Sequence, residues 1–238
     1  MVTADSLSPR VWDANNACVL EPEPELTLEA ILGELRPAVQ PAGAAYDHIE
    51  FWEHSVENPA LRDVRASGLT HASDLVMEFE GHDVGVGRPA GVEVRDIRHP
   101  KGAFWPLYRS LLNEFGNQLD DDVLNQLVSR ARQGTLAGRM RWHVGYLDGR
   151  PAGYTSVVPV GDAYYLDNVV TVPEVRRRGV ASATVTRAVR AALDAGAACI
   201  FLLAEASGDP QRLYERIGFR PRDTVETFHR ELGPAEAG

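Results

Sequence analysis

At 238 residues, 44% apolar and with a formal net charge of −10, the chain is long enough for one to two domains with ordinary cores. The acidic balance argues against a general nucleic-acid binder, whose phosphate contacts need a basic surface, and it suits a cationic amine better. No apolar run reaches the roughly twenty residues that span a bilayer, and no charged start leads into an apolar stretch, so a soluble cytoplasmic protein is expected.

Residues 1–9 carry no pattern and are expected to fray. VWDANNACVL, Val11 to Leu20, reads as a strand and holds Cys18, one of two cysteines. Cys18 and Cys199 each lie in an apolar, strand-like segment, so inert buried thiols in a reducing compartment are expected. EPEPE, Glu21 to Glu25, has two prolines and is a connector. Thr27 stands as an N-cap before Leu28, Ile31, Leu32 and Leu35, which mark a helix ending near Pro37. Tyr46 to Trp52 alternates like a strand, Pro59 to Ser67 reads as a short helix closed by Gly68, and Leu75 to Phe79 as a further strand. Glu80 to Ala90, EGHDVGVGRPA, has no sustained period, and since no helix follows its glycines it reads as a linker rather than a phosphate loop.

Beyond the linker, Val92 to Ile97 is a strand, Lys101 to Phe115 a helix, and Asp120 to Gln133 a second helix with acidic residues in its first turn. Arg141 to Leu147 and Ala152 to Val160 form a hairpin around DGRP, Asp148 to Pro151. Ala163 to Val172 is a strand that Pro173 ends, and from Gly179 a long amphipathic helix runs until Gly196. A strand Ala198 to Leu203, a short helix Pro210 to Ile217 and a last strand Thr224 to Glu231 complete the chain.

The join between strand and long helix is EVRRRGVA, Glu174 to Ala181. The first amides of a helix lack internal acceptors and carry the positive end of its dipole, and a glycine lets an anion reach the backbone. With Arg176, Arg177 and Arg178 beside them, these amides suit a diphosphate-sized anion; a solvated basic turn is the plainer alternative.

RRRGVA, Arg176 to Ala181, resembles the RxxGxG/A signature of the GNAT acyl-CoA N-acyltransferases, and DPQRLYERIGF, Asp209 to Phe219, is similar to that family's LYxxxGF segment. The resemblance spans roughly Gly91 to Leu232. It implies an α/β (α+β) GNAT fold, a mixed central sheet flanked by helices. It also implies acetyl-CoA as cofactor, with the pyrophosphate on Arg177, Arg178, Gly179, Val180, Ala181 and Ser182 and the pantetheine arm along Val170, Thr171 and Val172. An amide at or near Val170 would polarise the thioester carbonyl. Tyr214 takes the position of the tyrosine that protonates the thiolate, or else is a core aromatic. Many relatives have an asparagine seven residues before that tyrosine; this chain has Ser207, which puts that contact in doubt.

A base for the amine is harder to place. Asp167 on the core strand and Glu205 past the neighbouring strand are the best-placed carboxylates, and each also reads as a solvated strand-end charge; His143 is a weaker candidate. Substrate walls in the family come from the first two helices, here Phe104, Trp105, Tyr108, Glu114, Phe115 and Asp120 to Asp122, residues that also read as core and helix start. No metal is called for. The substrate class that follows is a small-molecule primary amine, with no nucleic-acid or membrane partner and with homodimerisation left open.

The order strand, connector, helix, strand, short helix, strand occurs in the first eighty residues and again from Tyr164 to Leu232, so the chain reads as a tandem: an N-terminal partial repeat of the fold over 1–80, a linker over 81–90 and a catalytic domain over 91–238. In the first copy EPEPELTLEA replaces the glycine and arginines, and the acids would repel a pyrophosphate. No cofactor is expected there, only a structural role. The reading is an acetyl-CoA-dependent N-acetyltransferase; the alternative is an acyl-CoA-sensing module of the same fold without turnover.

Overall fold

The computed structural model describes residues 1–21, 23–44, 46–52, 59–81, 84, 91–115, 119–206 and 208–232. By contacts the chain divides into two compact units, Met1–Leu75 with Asp223–Gly238, and Val76–Arg222. Residues from Asp223 onward therefore group with the N-terminal segment rather than with the 91–238 stretch.

In the first unit, β1 (Val2–Thr3) pairs antiparallel with β2 (Asn16–Val19), and β2 runs parallel to β3 (Tyr46–Phe51). Between β2 and β3 lies α1 (Leu28–Val39), opened by Thr27, whose hydroxyl accepts from the Ala30 amide at 3.2 Å. α2 (Pro59–Ala66) follows, then β4, which spans Thr70–Phe79 and so crosses into the second unit. The C-terminal part of β10 (Phe219–Glu231) pairs antiparallel with β3. Because side chains alternate along a strand, β3 turns Ile49 and Phe51 into a core with Leu35, Val39, Val64 and Phe228. The opposite face carries Tyr46, His48 and Glu50.

The second unit holds β5 (Val92–Ile97), β6 (Arg141–Leu147), β7 (Arg150–Val160) and β8 (Ala163–Thr171) in an antiparallel meander, followed by β9 (Cys199–Glu205) parallel to β8. Helices α3 (Phe104–Leu111) and α4 (Asp121–Leu136) precede β6; α5 (Val180–Asp194) joins β8 to β9, and α6 (Asp209–Ile217) follows β9. Alternate residues of β6 face opposite layers. Trp142 and Val144 pack with Phe104, Tyr108 and Tyr154, while Leu147 packs with Val92, Val180 and Ala183. Strand, helix, parallel strand, helix and strand occur in this order from β2 to β4 and from β8 to β10, a mixed α/β fold with an N-terminal partial repeat.

Several local expectations change. Val11–Leu20 is not one strand: a 3-10 turn at Trp12–Ala14 precedes β2, because Asn15 Nδ2 donates to the carbonyls of Ser8 and Val11 and closes a local loop. α1 runs through Pro37 to Val39. β4 starts at Thr70 and β10 at Phe219, both earlier than periodicity indicates. The expected Lys101–Phe115 helix is α3 plus a 3-10 turn at Leu112–Phe115. β7 begins at Arg150, since a two-residue turn suffices: Asp148 and Gly149 have φ of 52° and 75°, the left-handed pair that a tight hairpin requires. Most of the expected linker, 82–83 and 85–90, lies outside the described residues. Among the described residues no helix is long and apolar enough to cross a membrane.

Candidate active site

The start of α5 differs from the other long helices. Side-chain oxygens cap α1 and α4: Thr27 in the first, and Asp120, which accepts from the Val123 amide at 3.0 Å, in the second. At α5 the N-cap is Gly179, with φ of 83°, so no side chain occupies the first amides. Arg177, at φ 62°, is likewise left-handed, and Arg176, Arg177 and Arg178 are all exposed. Alternating left- and right-handed residues turn successive N–H groups toward one concavity, an anion-binding arrangement. Arg178 comes only to 3.9 Å from Asp148, both exposed, so this pair contributes little.

This helix start is seated tightly on the sheet. Gly145 and Gly153 face each other across β6 and β7, and a Cβ at either would sit 2.9 Å from Val180 Cγ1. Buried Thr155 donates to Thr184 Oγ1 at 2.9 Å, and Thr184 donates to the Ala181 carbonyl at 3.1 Å. Asp96 on β5 meets His143 Nδ1 through Oδ1 at 2.8 Å and accepts the forked Arg187 guanidinium of α5 on both oxygens, Nε at 3.0 Å on the shared Oδ1 and Nη2 on Oδ2. Arg187 and His143 outweigh the upward push of burial and hold the Asp96 carboxyl below its ordinary range; burial holds the His143 imidazole low. Through Asp96, His143 is thus tied to α5 as a strut between strand and helix.

Next to the loop, β8 and β9 pair over Ala163–Leu166 and Cys199–Leu202, and among the described residues the pairing goes no further. The rest of β8 includes the candidates Val170 and Thr171, with Val172 following. Val170 is buried, and the buried Thr171 hydroxyl has no hydrogen-bond partner among the described residues. Where the strands part, Asn168 adopts φ of 49° and the β7–β8 register slips between Tyr154 and Ser156. Asn168 was missed in the sequence; an Asp-Asn pair inside a strand is the signal, since Asn tolerates the left-handed region better than most residues.

Asp167 accepts from the Asn168 amide at 2.7 Å and from the Asn168 side chain. Its charge reaches Tyr108 and Tyr154 and, after burial, is among the causes that raise both phenols. The Tyr154 hydroxyl is buried without a partner. Tyr214 is 6% exposed on α6, edge-on to Phe219 at 6.1 Å, and burial raises its phenol above the ordinary range. Glu205 ends β9 exposed. Ser207 lies outside the described residues, as do the side chains of Glu114 and Phe115. Phe104 and Tyr108 are core, Asp120 is a cap and Asp121 pairs with Arg109 at 2.6 Å, so the wall residues serve the helices first.

Residues 104–219 match the acetyltransferase (GNAT) family model. No curated protein matches the chain. Among solved structures, a functionally unknown conserved protein from Staphylococcus epidermidis aligns with a TM-score of 0.74 at 13% identity, over 96% of this chain and 89% of that one. A GCN5-related N-acetyltransferase from Kribbella flavida gives 0.61 at 19%, over 90% and 81%. A tandem GNAT protein from the clavulanic acid biosynthesis pathway gives 0.59 at 15%, over 87% and 70%. At such identities the likeness is one of fold. With the family match laid over β8, the arginine-glycine loop and α5, residues 104–219 are a domain of the acetyltransferase (GNAT) family, in a chain folded like a tandem GNAT protein.

Proposed function

We propose that the chain is an acetyl-CoA-dependent N-acetyltransferase acting on a primary amine of a small molecule. The observation that carries this reading is the α5 start, where glycine stands at the N-cap while the other long helices have side-chain caps. Amides of Val180, Ala181 and Ser182, with Arg177 and Arg178, would take the pyrophosphate of acetyl-CoA, which supplies an activated thioester. The backbone of Val170, Thr171 and Val172 would hold its arm, and the partnerless Thr171 hydroxyl offers a further contact. Reaction needs a neutral amine and a proton for the departing thiolate. Burial keeps Tyr214 in the protonated form that a donor requires. Asp167, oriented on β8 by Asn168, is the candidate to take the amine proton, while exposed Glu205 is better suited to attracting a cation. The net charge of −10 favours encounter with cationic amines.

Calorimetric titration with coenzyme A, followed by thiol release from acetyl-CoA over a panel of amines, tests the reading. Gly179→Glu should abolish binding by crowding and repelling the diphosphate, and Tyr214→Phe should bind normally but release thiol slowly. Unchanged affinity in Gly179→Glu removes the site; tight binding with no release for any amine favours the sensing module instead.

A further inference from the structure

The polar face of β3 holds His48 and Glu50, and the 3-10 turn holds Asp13, too far from them in sequence for the three to show a ligand spacing. We propose that these three side chains form a site for a divalent transition-metal ion of the zinc class, within the first unit and independent of the acetyl-transfer reading. Alternation along β3 places His48 and Glu50 together beneath the 3-10 turn that carries Asp13. One ligand atom from each of the three lies within 4.8 Å of the others. Two ligands about 2.1 Å from a tetrahedral ion stand roughly 3.4 Å apart. His48 Nε2 and Glu50 Oε1 are already 3.3 Å apart, longer than the roughly 2.7–2.9 Å of a strong charge-assisted hydrogen bond.

A second observation concerns His48 itself. The residue is 3% exposed, and its Nδ1 has no hydrogen-bond partner among the described residues. The nitrogen on the Glu50 side is Nε2, and Nδ1 is a second polar atom of the same buried ring. The surroundings are those of a prepared ligand set. Glu50 is fixed from both sides, Oε1 by Asn16 Nδ2 at 2.8 Å and Oε2 by Trp52 Nε1 at 3.0 Å. Such outer hydrogen bonds orient ligating carboxylates. The Trp12 ring stacks on His48 at 5.8 Å and on His229 at 4.0 Å, walling the site with an apolar plane, while Asp13 is exposed and leaves an entry. One imidazole with two carboxylates suits zinc, cobalt or manganese better than calcium or magnesium, which favour all-oxygen sets.

The test uses the full chain treated with a chelator and titrated with Zn2+ by calorimetry, then with Co2+ by visible absorption and Trp fluorescence. One equivalent of Zn2+ should bind and raise Tm, and Co2+ should give d–d bands and quench Trp12. Asp13→Asn, an exposed change that spares the core, and His48→Gln should each lower Zn2+ affinity about tenfold or more. Cys18→Ser should not, although Cys18 stands opposite Glu50 in register. Absence of binding, affinity unchanged in Asp13→Asn, or affinity lost in Cys18→Ser would each overturn the proposal. Coenzyme A affinity, measured in parallel, reports separately on the site at α5.

Discussion

Replacing Gly153 by alanine tests how the sheet sets the position of the α5 start. An added Cβ would lie 2.4 Å from the Val170 carbonyl oxygen, 2.9 Å from Val180 Cγ1 and 3.1 Å from Thr171 Cα. The first and third of these belong to the backbone of β8, held by its ladder to β7, so no rotamer change relieves them. Gly145, by contrast, would meet the side-chain methyls of Val180 and Thr184 at 2.9 and 3.1 Å and its nearest backbone atom only at 3.8 Å. Over-packing of this kind costs about 1–3 kcal/mol. For a chain of this length about 2–4 °C of Tm accompanies each kcal/mol, giving a fall of roughly 2–12 °C. Relief of the clash displaces Val170, Thr171 and Val180 together, so coenzyme A affinity should fall at least as sharply as stability. Gly33→Ala on α1 is the comparator: no heavy atom lies within 4 Å of its added Cβ, and alanine in an exposed helix interior should stabilise by about 0.5–1 kcal/mol. Thermal melts and calorimetry on both variants decide the matter. If Gly153→Ala melts and binds like the wild type, the close packing described here does not position the loop.

Acidification should weaken the Asp96–His143–Arg187 strut. His143 and Asp96 are both held below their ordinary values, so the unfolded chain binds more protons, and their contribution is full above the unfolded pKa values and is lost as pH falls from there through the lowered folded ones. Urea unfolding should show stability declining below about pH 6.5, by no more than about 1.4 kcal/mol per pH unit for one proton, and His143→Gln should flatten that first segment; equal slopes in both proteins would contradict it. Thr135→Val removes the acceptor for buried Trp142 Nε1, which donates to Thr135 Oγ1 at 2.9 Å. An orphaned indole N–H costs about 1–3 kcal/mol, and a shift in the urea midpoint of less than half that would show that the indole has found another acceptor.

What could be read beforehand follows the range of the forces involved. Thr27 and Asp120 are local signals, a side-chain oxygen three residues from the amide it meets: Thr27 caps as expected, and Asp120, expected as the first helical residue, is the cap just before it. Alternation and helical spacing located β3, β5, β6 and α5, because one face of each is buried. Long-range interactions left no such trace. The turn at Trp12–Ala14 depends on loop closure by Asn15 and a tryptophan stacked on His229, more than two hundred residues away in sequence. Nor does anything local mark Asp223 onward as grouping with the first unit; that follows from Glu226–Glu231 finding β3 as their partner.

The two copies also show how small a sequence change separates a helix start that is internally satisfied from one that can bind an anion. Both α1 and α5 follow a strand and lead to a parallel one. At α1, Thr27 Oγ1 takes the Ala30 amide, so one of the donors that an anion would need is already used, and Glu29 adds negative charge to the first turn. At α5 the same position is a glycine, left-handed at φ 83°, with arginines rather than acids before it. A helix dipole alone favours an anion by about 0.3–1 kcal/mol, too little for a cofactor. In the proposed function, the first amides of α5 acting together, with the guanidinium groups of Arg177 and Arg178 beside them, would convert that weak preference into a site.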